Sequence, residues 1–188
     1  MPRLLFALIL FLFHLLPAAY AQESQVSRIA PTIEAGQLVI EADIDFTLSG
    51  ELRNAAQKGV PLYFTVDLEI REPRWWWFDK ALVTTGQTWR IQFNALTRQW
   101  RVTLDELSLP ATTLDEALNL VRHIRDWRVG PISQFKPDVD YQGLLRLRLD
   151  TARLARPFQV DALNSNAWSL TTPWKNFTFT VSADTLRD

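Results

Sequence analysis

Few residues in this chain are of types that do chemistry by themselves. Beyond residue 21 there is one histidine, His123, and the whole sequence has no cysteine. Cysteine-ligated zinc, a Cys–His nucleophile and any multi-histidine metal centre are thereby excluded. A Ser–His–Asp triad would have to use His123, and no serine sits in a G-x-S-x-G turn. Ser133, in "VGPISQF", lacks the second glycine. The segment "DVDYQG", Asp138–Gly143, opens like a calcium loop, but Gln142 occupies its fifth position and Leu149 its twelfth, where a bidentate glutamate belongs. It reads as a turn before a strand.

Carboxylates come in close pairs: Asp43/Asp45, Asp67/Glu69, Asp105/Glu106 and Asp115/Glu116. A glycosidase needs two carboxyl groups facing each other across a sugar. Neighbours on one strand face instead describe a solvated surface, for which Arg90, Arg101, Arg146 and Arg148 are natural cross-strand partners. The strongest binding candidate is aromatic. In "REPRWWWFDK", Trp75, Trp76 and Trp77 stand between Arg74 and Asp79. Indoles beside a charged pair suit a partner's surface or a sugar ring, and tryptophan also favours membrane interfaces. We take Arg74, Trp75, Trp76, Trp77 and Asp79 as candidate partner- or ligand-binding residues, burial of the triplet under a helix or loop being the structural alternative.

These residues must be positioned by strands. In "GQLVIEADIDF", Leu38, Ile40, Ala42, Ile44 and Phe46 share one parity and the acids share the other, which is the pattern of a half-buried strand. In "VPLYFTVDLEIR", Val60, Leu62, Phe64, Val66, Leu68 and Ile70 face inward. Trp89, Ile91 and Phe93 match Trp100, Val102 and Leu104 across a short turn at residues 94–98, predicting a hairpin. Leu145, Leu147 and Leu149 alternate with Arg146 and Arg148; Phe177, Phe179 and Val181 mark a last strand. Two helices interrupt the series. One starts at Ser49 and stops at Gly59; the other runs through "TLDEALNLVRHIRDW", with Thr113 and Glu116 at capping-box spacing and Ile124 on its apolar face. The expected fold is mainly β: an antiparallel β-sandwich, Ig-like or a partly open barrel, with two short helical insertions.

The N-terminus has the layout of a cleavable export signal. Arg3 precedes an apolar run from Leu4 to Leu16, and Ala19-Tyr20-Ala21 closes it. That run of 13 residues is shorter than the roughly 20 a membrane-spanning helix needs. Residues 1–21 are thus expected to be a signal peptide and 22–188 one β-rich domain, exported to a bacterial periplasm; retention of the segment as a membrane anchor is the alternative. Without Arg3, 19 basic residues face 21 acidic ones, which is no electrostatic footprint for nucleic acid. No motif asks for a cofactor.

The segments "RWWWFDK", "TLDEAL" and "LRLDTARLARPFQ", taken in order with the signal, resemble domain-of-unknown-function family 4390. Ala155 departs from a proline common in that family's pattern, and Pro157 keeps it. The resemblance implies an exported proteobacterial protein, of a kind encoded near membrane sensor kinases. With no catalytic constellation in the chain and an aromatic segment at Trp75–Trp77, the expected function is non-enzymatic: binding of another envelope protein or a signalling component. A carbohydrate- or lipid-binding module using the Trp75–Trp77 segment is the alternative, and a carboxylate-based hydrolase the third reading.

Overall fold

The computed structural model describes residues 24–73 and 80–182. Within these residues nine strands form two antiparallel sheets. The smaller sheet has the order β1–β2–β7, with β1 at Gln25–Glu34, β2 at Gln37–Asp45 and β7 at His123–Pro131. The larger has the order β6–β5–β4–β3–β8–β9. Its strands are β3 (Leu62–Glu72), β4 (Lys80–Asn94), β5 (Gln99–Leu104), β6 (Leu107–Ala111), β8 (Asp140–Leu149) and β9 (Lys175–Thr180). Among the described residues the two sheets share no hydrogen-bonded strand, so the arrangement is a sandwich and not a closed barrel.

The apolar stripes read from the sequence are the inner faces. Leu38, Ile40, Ala42, Ile44 and Phe46 are buried from one sheet, and Val60 through Ile70 at even positions from the other. Phe46 and Phe64 meet across the sandwich with ring centroids 5.5 Å apart. Trp89 opposes Leu104, Ile91 opposes Val102 and Phe93 opposes Trp100, which is the expected hairpin. Its turn is held by Asn94, whose Oδ1 accepts from the amides of Leu96 and Thr97. Between β1 and β2, Ala35 and Gly36 both have positive φ (48° and 71°), the backbone a two-residue hairpin demands.

Helix α1 (Gly50–Gln57) is capped by Ser49, whose hydroxyl accepts from the Leu52 amide, and it buries Leu52, Ala55 and Ala56. Helix α2 (Leu114–Arg122) is capped by Thr113, which accepts from the Glu116 amide; the Glu116 carboxylate accepts in return from Thr112 N–H. The expected helix is shorter than its apolar period. It stops at Arg122, and His123–Pro131 continues as β7, pairing Ile124 with Ala42 and Trp127 with Ile40. Two bonds from the Arg122 guanidinium to the Phe46 carbonyl fix this junction. A third helix, α3 (Arg156–Asn164), was not expected. Ala155 is its N-cap without a side-chain bond, and Pro157 sits in its first turn, where a missing N–H costs nothing.

Candidate functional site

The residues Arg74, Trp75, Trp76, Trp77 and Asp79 lie outside the described residues, between the end of β3 and the start of β4. The other candidates are placed. Asp138, at φ 57°, makes a turn whose amide donates to the Val181 carbonyl, and β8 follows directly. Ser133 sits within a short 3₁₀ turn, Ile132–Gln134. Among the described residues no group of three or more acids or histidines could hold a metal ion.

His123 falls in the segment read from the sequence as helix, but the helix has ended before it. It begins β7, is exposed, and its Nδ1 lies 2.9 Å from Asp43 Oδ1. Asp43 also accepts from Arg125 (2.6 Å) and Arg28 (3.2 Å). Led by the His123 bond and then by Arg125, these donors hold the Asp43 carboxyl far below the ordinary carboxylate range. The nearby Ser27 hydroxyl donates to the main-chain oxygen of Asp43. The carboxylate is thus the hub of the cluster, whereas a triad needs the imidazole between carboxylate and nucleophile. The arrangement is an ion-pair node across three strands.

The paired acids divide between two of the four expected arginines and other partners. Asp67 Oδ2 accepts from Arg146 Nε at 2.9 Å and from Arg148 Nε at 3.0 Å, as anticipated. Arg90 instead bonds Gln92, and Asp115 pairs with Arg53. Arg101 makes no ion pair among the described residues. Glu69 is paired along its own strand with Arg71 at 2.5 Å.

Around Asp67 the outer face of the six-stranded sheet sinks into an open groove of about 500 Å³, lined by Asp67, Glu69, Thr84, Gly86, Arg146, Arg148 and Trp174. Cross-strand register explains the assembly: Gly86 opposes Asp67 on one side and Arg146 opposes it on the other. Gly86 keeps this position free of a side chain, and an added Cβ would press to 3.3 Å from the Val66 carbonyl oxygen and 3.6 Å from the Asp67 carboxylate. Trp174, just before β9, lays its ring against Arg146, 4.3 Å from guanidinium carbon to ring centroid. Arg148 is steadied by a second carboxylate, Asp150, at 3.5 Å. Burial would lower its pKa, but Asp67 and Asp150 outweigh that and raise it.

Arg146 is held at Nε and on one face, while its two terminal nitrogens have no partner among the described residues. A hollow of similar size, about 560 Å³, lies between α1 and residues 158–168, floored by Ala55, Val60, Phe158 and Trp168. Its rim groups Ser165 and Glu51 are bonded to each other, and its cation, Lys58, is held by no side-chain bond among the described residues. The outward parity of Arg146 and Arg148 was legible from β8. Trp174 was missed, although counting back from the inward Phe179 and Phe177 puts Asn176 and Trp174 on the outer face.

The molecule is a two-sheet antiparallel β-sandwich whose larger sheet carries a charged groove with an aromatic lid. The chain belongs to the family described as a domain of unknown function, DUF4390, whose model matches residues 21–178. Comparison with curated proteins and with solved structures finds no match.

Proposed function

We propose that this chain is a non-enzymatic, exported β-domain that acts in the bacterial periplasm by holding another envelope protein, such as a signalling component, on the outer face of its six-stranded sheet. The observation that carries this reading is the restrained Arg146. Asp67 and Trp174 fix its side chain before any partner arrives, so little rotamer entropy is left to lose on docking. Arginine and tryptophan are the side chains on which protein interfaces most often concentrate their affinity. The groups lining the groove are suited to binding and orienting, with the acids engaged by arginines rather than converging on a gap. A glycan fits less well, because Arg146 already occupies one face of the Trp174 indole. The export signal legible in residues 1–21 supports the compartment.

A photo-cross-linking amino acid placed at Thr84 in the full chain tests this in the native host. The expected result is one discrete adduct with an envelope protein, lost when Trp174 is changed to Ala. The control position is Glu34, exposed on the other sheet. Adducts of equal yield from Glu34, or an adduct at Thr84 indifferent to Trp174→Ala, would remove the outer face as the docking surface.

A further inference from the structure

We infer that the groove recognises a carboxylate side chain presented by an acidic, extended segment of its partner, clamped by the free edge of Arg146. This rests on the reading of the outer sheet face as a binding surface and adds the chemistry of what binds there. The guanidinium is a planar fork with five donors. Its Nε is spent on Asp67, 2.9 Å away, and its face on Trp174, 4.3 Å away. What remains is the edge bearing the two terminal nitrogens, without a partner among the described residues. Two parallel N–H donors on a rigid plane match the two oxygens of a carboxylate, and a charge-assisted bidentate pair is the strong form of the hydrogen bond.

The charge balance selects the anion. Around the groove four guanidiniums, Arg71, Arg146, Arg148 and Arg153, are paired with three carboxylates, Glu69, Asp67 and Asp150, which leaves one positive charge in excess. A phosphate dianion would exceed that single charge and find only one free guanidinium edge. A carboxylate monoanion needs just that one edge. The groove's extent selects a peptide over a small acid. From β4 across β3 and β8 to the flank of β9 is three strand spacings, about 14 Å at about 4.8 Å each. That is the length of roughly four residues of extended chain. Thr84, exposed at the β4 rim, supplies a hydroxyl for the main chain of such a segment.

The test is calorimetric titration of the mature full chain at low salt with acetyl-tetraglutamate amide, acetyl-tetraglutamine amide and inorganic phosphate, followed by NMR of the arginine Nε–H and tryptophan indole signals. The glutamate peptide should bind about tenfold or more tighter than the glutamine peptide, as loss of a charge-assisted pair implies, and should shift the Arg146 and Trp174 resonances. Arg146→Gln should abolish that preference. Arg146→Lys, which keeps the charge and loses the fork, should reduce it severalfold. All these side chains are at the surface, and unshifted core resonances in each variant confirm the fold.

Equal binding of the two peptides, glutamate binding that survives Arg146→Gln, tighter binding of phosphate, or no binding would each overturn the inference. The two proposals fail separately. A Trp174-dependent adduct from Thr84 without glutamate preference leaves the docking surface standing and removes its acidic ligand. Glutamate preference without such an adduct leaves the carboxylate site standing and removes the partner protein.

Discussion

Single residues here acquire their roles through what surrounds them. Asp43 is one of many acids in the sequence, yet His123, Arg125 and Arg28 converge on it and depress its pKa. A carboxyl group whose folded pKa is depressed contributes stability above its unfolded value, near 3.8, and that contribution is lost as pH falls below it. Asp43→Asn should therefore destabilise the domain near pH 7 by about 1 kcal/mol, a modest figure because the partners are largely exposed and screened. The gap to the unmodified protein should narrow below pH 4, as urea titrations at a series of pH values would record. An Asp43→Asn penalty that does not change with pH would mean that lost packing, not charge, is responsible. Asp67 differs in kind: its two guanidinium partners extend into a groove, so the same chemistry serves presentation as well as stability.

Among the elements, the β8–β9 pair shows how one small residue sets a docking. Gly143 opposes Phe177, and a Cβ built on it would lie 2.1 Å from the Phe177 ring. The ring closes over the glycine and stacks towards Phe179 at 6.3 Å, a cross-strand device that fixes register. Gly143→Ala should cost about 1–3 kcal/mol by overpacking. Phe177→Ala added to it should cost less than the separate penalties together, because the clash is then gone. Strict additivity in the double-mutant cycle would show that Phe177 swings aside at no cost. Since β9 begins just after Trp174, loosening this pair should also weaken the groove's lid. The α2–β7 junction carries a second lesson. Ile124 and Trp127 fit either a helical face or a strand, and pairing with Ala42 and Ile40 decided for the strand.

At the scale of the molecule, residues of both sheets and the first two helices belong to one continuous buried cluster. A domain organised around one core unfolds as a unit. Thermal unfolding followed by far-ultraviolet circular dichroism and by tryptophan fluorescence should give coincident midpoints, unchanged by reductant because the chain has no cysteine. Separated midpoints would mean that the smaller sheet melts independently. Across all described residues no helix is long and apolar enough to cross a membrane.

Alternation of apolar and polar residues, visible along the chain, was sufficient to define most of the strands, their buried faces, the central hairpin and the two caps at Ser49 and Thr113. The reason is local: a strand buried on one side must repeat every two residues, and a cap acts within three. Strands β1 and β6 were not read and β7 was read as helix; the buried stripes of the first two are short or irregular, β1 being buried only at Val26 and β6 only at Ala111. The meeting of Asp67, Gly86, Arg146 and Trp174 was beyond such reading. Those residues span more than a hundred positions and become neighbours only through the order β4–β3–β8–β9, which long-range pairing sets. Residue types and their faces were a property of the sequence alone; which of them share a groove, and that Arg146 is held there with one edge open, was decided by the tertiary structure, because register between distant strands is what converts separate side chains into a site.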